Sequence, residues 1–209
     1  MILQMQDKRP LFVTGIGTGI GKTLVSAILV EKLKADYWKP VQSGDLEDSD
    51  TNKVKALISN NITVFHPETY RLTQPYSPHK SASIDGIMIE PPKFIVPKTS
   101  NILIIEGAGG LMVPLNESFL MIDLILQLQA EVILVSQNYL GSINHTLLSV
   151  EALKQRGIPV KGIIFNGAAD SSSETFILNH SKLAKLGHIP LCDKVDKTAI
   201  IEAGDYLTL

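Results

Sequence analysis

The sequence predicts an α/β protein, a mostly parallel, twisted sheet with helices on both faces, and three observations carry that prediction. Apolar runs alternate with amphipathic stretches along most of the chain. Most of the runs are continuously apolar rather than alternating, as in strands covered on both faces. Glycine-rich and polar segments follow directly after the runs, at the strand ends where open sheets of this class bind ligands.

The elements follow in order. Leu11–Thr14 reads as the first strand. A glycine-rich turn comes next, and then Leu24, Val25, Ala27, Ile28, Val30 and Leu33 recur at helical spacing, predicting a helix over Lys22–Ala35. Tyr37–Val41 is a second strand and Thr51–Ser59 a helix. Ile102–Glu106, Val132–Ser136 and Val160–Phe165 are further strands, with a short one near His188–Leu191. Helices are expected over Phe119–Gln129, Ile143–Gln155 and Ser173–Leu186; Gly157 followed by Pro159 stops the second of these. Residues 60–97 differ: they are rich in Pro, Ser and Thr and show little periodicity. They read as a linker between domains or, preferably, as an ordered excursion from one sheet, with a short helix in Ser81–Ile89. The expectation is one domain over 1–209.

The chain has 209 residues and a formal net charge of −2. Its basic residues are scattered and form no stripe, so no electrostatic footprint for nucleic acid is expected. No apolar run approaches the length of a membrane span. Met1–Arg9 lacks the apolar core of a signal segment. Cys192 is the single cysteine, so no internal disulfide can form, and a reduced cytoplasm is the simplest home.

The segment from Leu11 to Thr23, LFVTGIGTGIGKT, carries the strongest chemical signal. A strand, a glycine-rich turn and a helix start place unpaired backbone N–H groups and the positive end of a helix dipole at one point, the arrangement that holds phosphate. Lys22 can reach outer phosphates and the Thr23 hydroxyl can ligate Mg²⁺. The strict phosphate-loop pattern needs glycine at position 16, where Ile16 stands; Gly15 comes one residue early, so the loop is one residue longer. The competing reading is a glycine-rich turn that binds nothing.

Beyond the loop, each strand end contributes candidates. Lys39-Pro-Val-Gln-Ser43-Gly44 follows the second strand, and Glu106-Gly107-Ala108-Gly109-Gly110 ends the third. An acid closing a buried strand beside a phosphate loop suits Mg²⁺ coordination, and glycines after it suit close backbone approach to a ligand. Lys39 alone would read as a solvated lysine. Asp50, in an acidic loop before a helix, is divided between helix capping and metal binding. Asn138–His145 follows the fourth strand and Asn166-Gly167 the fifth. His79 and His145 have no partners at metal-ligand spacing and read as structural.

These motifs resemble one family, the dethiobiotin synthetases, over nearly the whole chain. The resemblance rests on Phe12-Val-Thr-Gly15 with Gly21-Lys22-Thr23, on Lys39-Pro-Val with Ser43-Gly44, and on Ser77-Pro-His79. Glu106 to Gly110, Leu140-Gly141 with Ile143-Asn144-His145, and Asn166 complete it. It implies a fold of the P-loop NTPase type and an enzyme of biotin biosynthesis, a ligase that closes a urea ring. Diaminopelargonic acid, CO₂ and ATP, with Mg²⁺, give dethiobiotin, ADP and phosphate through a carbamate and a carbamic–phosphoric anhydride. ATP would lie on Gly17, Thr18, Gly19, Ile20, Gly21, Lys22, Thr23 and Leu24, with Gly107, Ala108 and Gly109 close by and Asn166-Gly167 at the nucleobase. Thr23, Asp50 and Glu106 would be the magnesium set. Lys22 and Lys39 would be catalytic, with Thr18 and Ser43 facing the diamine and its carbamate. Gly110 and the loop Leu140, Gly141, Ser142, Ile143 and Asn144 would hold the rest of the substrate, the loop acting across a homodimer interface. Where members of the family often carry an acid, Gly19 and Gly167 stand here, and the tail beyond Leu191 is short; weak nucleobase discrimination is the expectation. A rival is a partitioning-type ATPase switch of the same fold that binds protein partners. That class uses a second lysine early in its loop, where this chain has Gly17.

Overall fold

The computed structural model describes residues 9–209. The absence of an apolar leader over Met1–Arg9 falls almost wholly on residues outside that range. The strands are β1 Leu11–Gly15, β2 Asp36–Trp38, β3 Val41–Ser43, β4 Phe65–His66, β5 Tyr70–Leu72, β6 Leu103–Gly110, β7 Glu131–Ser136, β8 Val160–Asn166 and β9 Lys185–Ile189. The helices are α1 Lys22–Leu33, α2 Asp50–Leu57, α3 Pro78–Ile84, α4 Met121–Gln127, α5 Ser142–Gln155, α6 Ser171–Ser181 and α7 Lys197–Ala203.

Seven strands form one sheet in the order β4-β2-β6-β1-β7-β8-β9, and all its neighbouring strands pair in parallel. Successive residues of β1 and β7 point to opposite faces, and both faces are covered. Phe12, Val132 and Leu134 join Met121 of α4, Val150 of α5 and Ile177 of α6 in one core. Leu11, Val13, Ile133 and Val135 join Val25 and Ile28 of α1, Val54 of α2 and Ile200 of α7 in the other. Continuous apolar strands and helices on both faces are therefore as the sequence predicts.

Two departures shape the site. The second strand stops at Trp38 instead of running to Val41. Pro40 has no N–H to extend the ladder, and the chain resumes as β3, which pairs with β5 in a separate two-stranded sheet. Residues 60–97 hold β4, β5 and α3, and their Tyr70, Leu72, Ala82, Ile89 and Phe94 join the core that contains Phe12 and Ile105. The short helix is Pro78–Ile84, earlier than Ser81–Ile89, with proline at its first turn. α6 ends at Ser181 because Lys182 turns left-handed at φ 60°, so the last strand starts at Lys185. The sequence reading also missed α7, which Asp196 caps by accepting from the backbone N–H groups of Thr198 and Ala199.

Candidate active site

Ends of β1, β2 and β6 bring the first group of predicted residues together. Gly21 caps α1 at φ 93° with no side-chain cap, so the first N–H groups of the helix face the loop. A Cβ at Gly21 would lie 2.2 Å from Asn166 Nδ2, so only glycine fits there. Asn166 comes from the end of β8 and donates to the Ile20 carbonyl at 2.9 Å, fastening the loop to a strand end two places along the sheet. Lys22 Nζ donates to the Gly17 carbonyl at 2.7 Å and so curls back over the loop. Burial pushes the Lys22 ammonium down to about 8, partly offset by the Glu106 charge, while Lys39 lowers it further.

Lys39 is not solvated: its side chain is 4% exposed. Its ammonium lies 2.6 Å from Asp50 Oδ2 and 3.1 Å from Glu106 Oε1, and 3.4 Å from the Gly107 carbonyl. Burial works against that charge, but the two carboxylates overcome it and hold the Lys39 pKa above its ordinary value. Asp50 is likewise opposed by burial, and Lys39 holds its carboxyl below the usual range. Thr23 Oγ1 donates to Glu106 Oε1 at 2.8 Å. Tyr37, fully buried in β2, donates its hydroxyl to the other oxygen, Oε2, at 2.9 Å. Gln42 steadies Asp50, its Oε1 accepting from the Asp50 backbone N–H at 3.2 Å.

A cavity of about 630 Å³ opens over this cluster. Thr18, Gly19, Gly21, Lys22, Thr23, Lys39, Ser43, Asp50 and Glu106 to Gly109 all line it. The Ser43 hydroxyl is buried at its wall with no hydrogen-bond partner among the described residues. Gln42, Tyr76, Ser77 and Val113 also line it and were not singled out as site residues; Gln42 and Ser77 lay inside the quoted motifs, whereas nothing local marked Tyr37, Tyr76 or Val113. A second cavity, about 710 Å³, shares Thr18 and Val113 with the first and continues past Gly17 and Gly110 to His145, Leu148 and Ser149 of α5. Leu140–Asn144 is only in part a loop, since Ser142–Asn144 open helix α5, and none of the five lines either cavity: Leu140 is fully exposed, Asn144 is exposed, and Ser142 is buried. Ile20, Leu24, Asn166 and Gly167 are not among the lining residues of the first cavity either.

The donor set can be tested against Mg²⁺. Among the described residues no three His, Cys, Asp or Glu side chains cluster as a metal cage. Mg²⁺ needs none: it takes one or two carboxylates and completes its shell with water and substrate phosphates. Thr23, Asp50 and Glu106, hard oxygen donors beside a phosphate loop, fit that description.

Comparison with known proteins agrees with this geometry. A family model described as an AAA domain matches residues 9–199. The ATP-dependent dethiobiotin synthetase BioD of Christiangramia forsetii is 55% identical over 178 residues, 85% of this chain and 86% of that one. Its counterpart from Cytophaga hutchinsonii is 50% identical over 190 residues, 90% and 92% of the two chains. Among solved structures, the septum site-determining protein MinD complexed with Mg-ADP from Pyrococcus horikoshii superposes with a TM-score of 0.61 at 16% identity, over 93% of this chain and 86% of that one. A ParA family ATPase from Chlorobium tepidum gives 0.57 at 13% identity, over 96% and 100%. At such identities these two matches establish the P-loop type of fold alone.

Proposed function

This chain belongs to the ATP-dependent dethiobiotin synthetase family, and from that premise we propose that it closes the urea ring of dethiobiotin from diaminopelargonic acid, CO₂ and ATP, as a ligase of biotin biosynthesis. One observation carries the reading: Lys22 and Lys39, two buried ammonium groups, line one cavity with a threonine and two carboxylates suited to Mg-nucleotide.

In the proposed sequence, one substrate amine adds to CO₂ and loses a proton, giving a carbamate. A carbamate oxygen attacks the γ-phosphorus of ATP and ADP leaves, forming a carbamic–phosphoric anhydride. The second amine attacks the anhydride carbonyl and phosphate departs with its oxygen. No covalent bond to the protein is required, so catalysis is positioning and charge stabilisation. The glycine loop from Gly17 to Leu24 cradles the phosphates, with Gly107 to Gly109 alongside. Lys22 meets the β- and γ-phosphates; Lys39 meets the carbamate and the transferring phosphoryl. Thr18 and the unpartnered Ser43 hydroxyl face the diamine and carbamate. Thr23, Asp50 and Glu106 would hold Mg²⁺, which supplies neutralisation of phosphate charge.

The substrate tail would run along the second cavity past Gly110. Leu140, Gly141 and Asn144, exposed at the start of α5 and outside the lining of both cavities, would reach the site of a second copy, and we propose a homodimer on that basis. We read 1–209 as one domain acting in the cytoplasm. The test is phosphate release from ATP. It should require both diaminopelargonic acid and bicarbonate and yield dethiobiotin by mass spectrometry. Release that ignores the diamine would overturn the reading in favour of a switch ATPase.

A further inference from the structure

A second buried charge cluster stands outside the cavity. Glu174, in the first turn of α6, has a side chain only 6% exposed. It accepts from Lys185 Nζ at 2.8 Å and Asn138 Nδ2 at 2.9 Å, and His188 Nδ1 lies 3.0 Å away. One carboxylate therefore gathers the segment after β7, Lys185 and His188 of β9, and its own helix. Its other ring nitrogen, His188 Nε2, lies 2.9 Å from the Gly167 carbonyl. The ring therefore bridges the Glu174 carboxylate and the Gly167 carbonyl.

The connections continue toward the ATP loop. The Gly167 N–H donates to the Ile189 carbonyl at 2.8 Å, and Asn138 also donates to the Ala168 carbonyl at 3.0 Å. The next residue back, Asn166, donates to Ile20 of the loop itself at 2.9 Å. Polar contacts joined by the Asn166–Gly167 peptide bond thus lead from Glu174 through His188 and Gly167 to Asn166 and Ile20. A buried carboxylate with three side-chain partners is costly unless fully satisfied, and satisfied networks hold one geometry.

We propose that Glu174 and His188 are positioning residues for ATP, bracing the Asn166–Gly167 turn so that its amide holds the phosphate loop in its binding shape. The proposal rests on the reading of the Gly17–Leu24 loop as the ATP site. Neither residue touches the cavity, so the brace acts on nucleotide binding and leaves the transfer step alone.

The experiment compares His188→Leu, His188→Gln and Glu174→Gln with the parent enzyme. It measures ATP KM, kcat at saturating ATP, ADP Kd by calorimetry and thermal midpoint. Loss of the ring contacts should raise ATP KM and ADP Kd about tenfold, the size of one lost hydrogen bond to a charged group. The change in kcat should stay within about twofold. His188→Gln, whose carboxamide still carries two N–H donors, should recover most of the loss. Unchanged KM and Kd in folded His188→Leu, or a fall in kcat without a change in KM, overturns the brace. Should His188→Leu fail to fold, the same split in Glu174→Gln decides. Lys22→Ala separates the two readings. ADP binding that survives in it overturns the phosphate-loop assignment and the brace with it. ADP binding lost there but normal in His188→Leu overturns the brace alone.

Discussion

The Tyr37 hydroxyl donates to Glu106 Oε2 at 2.9 Å, and neither residue is more than 1% exposed. With Oε2 committed to Tyr37, Oε1 is the oxygen that meets Thr23 and Lys39. Tyr37→Phe removes that donor and leaves a buried carboxylate oxygen unsatisfied. Stability should fall by about 1–3 kcal/mol. Urea unfolding checks this, with an unchanged slope showing that the denatured state is the same.

Lys39→Met should cost both turnover and stability. A loop-edge lysine would be replaceable without harm to the fold, but this one neutralises the buried Glu106 carboxylate and the part-buried Asp50. Breaking such a pair strands its partners, at about 3–5 kcal/mol. Turnover should drop roughly 10²-fold or more if the ammonium faces developing charge. Paired thermal melts and steady-state rates test the two effects separately.

Nucleotide affinity should depend on pH through Lys22. Its free-enzyme value of about 8 lies below the ordinary lysine value because the group is buried. Below that pH the ammonium is charged and ready for phosphate. Above it the site must take up a proton to bind, so ADP affinity should weaken by roughly tenfold per pH unit. Calorimetry in buffers of different ionisation enthalpy should detect the proton uptake, and Lys22→Ala should abolish it.

Asn144→Ala and Lys39→Met should complement one another if the Leu140–Asn144 loop serves a second copy's site. Each parent would be impaired, while a mixed dimer keeps one complete site. Mixing after subunit exchange, followed by rate measurement, should restore part of the activity; full exchange without recovery would oppose a shared site.

Nucleobase discrimination should be weak. The Asn166 amide already donates to Ile20, and Gly167 offers no side chain. A site rejects the wrong base strongly only when mismatch leaves buried polar groups unpaired. GTP and CTP should reach kcat/KM within roughly tenfold of ATP. A preference of several hundredfold would reveal a base contact made elsewhere.

The site was more legible in the sequence than the paths that assemble it. Gly21-Lys22-Thr23 after an apolar run announces a strand–loop–helix unit locally, and Glu106 stands out because a charge ends four apolar residues. Lys39 gave no such sign. Its burial depends on Asp50 and on a carboxylate 67 positions away. Pro40 was visible, yet the pairing of β3 with β5 that the break permits is a long-range contact. Tyr37 looked like an ordinary core aromatic; only the register of β2 against β6, with Tyr37 opposite Ile104, places its hydroxyl at Glu106. The end of α6 was misread because a lysine, rather than glycine, takes the left-handed position.

The missing side chain at Gly21 holds that position in evolution for two separate reasons. The Asn166 amide nitrogen lies 2.2 Å from where a Cβ would stand, and the backbone is left-handed at φ 93°, so a mutational scan of position 21 should return little besides glycine. A smaller residue at 166 would remove the contact but not the backbone strain. Drift in this part of the enzyme is therefore confined to position 166, with glycine held at 21.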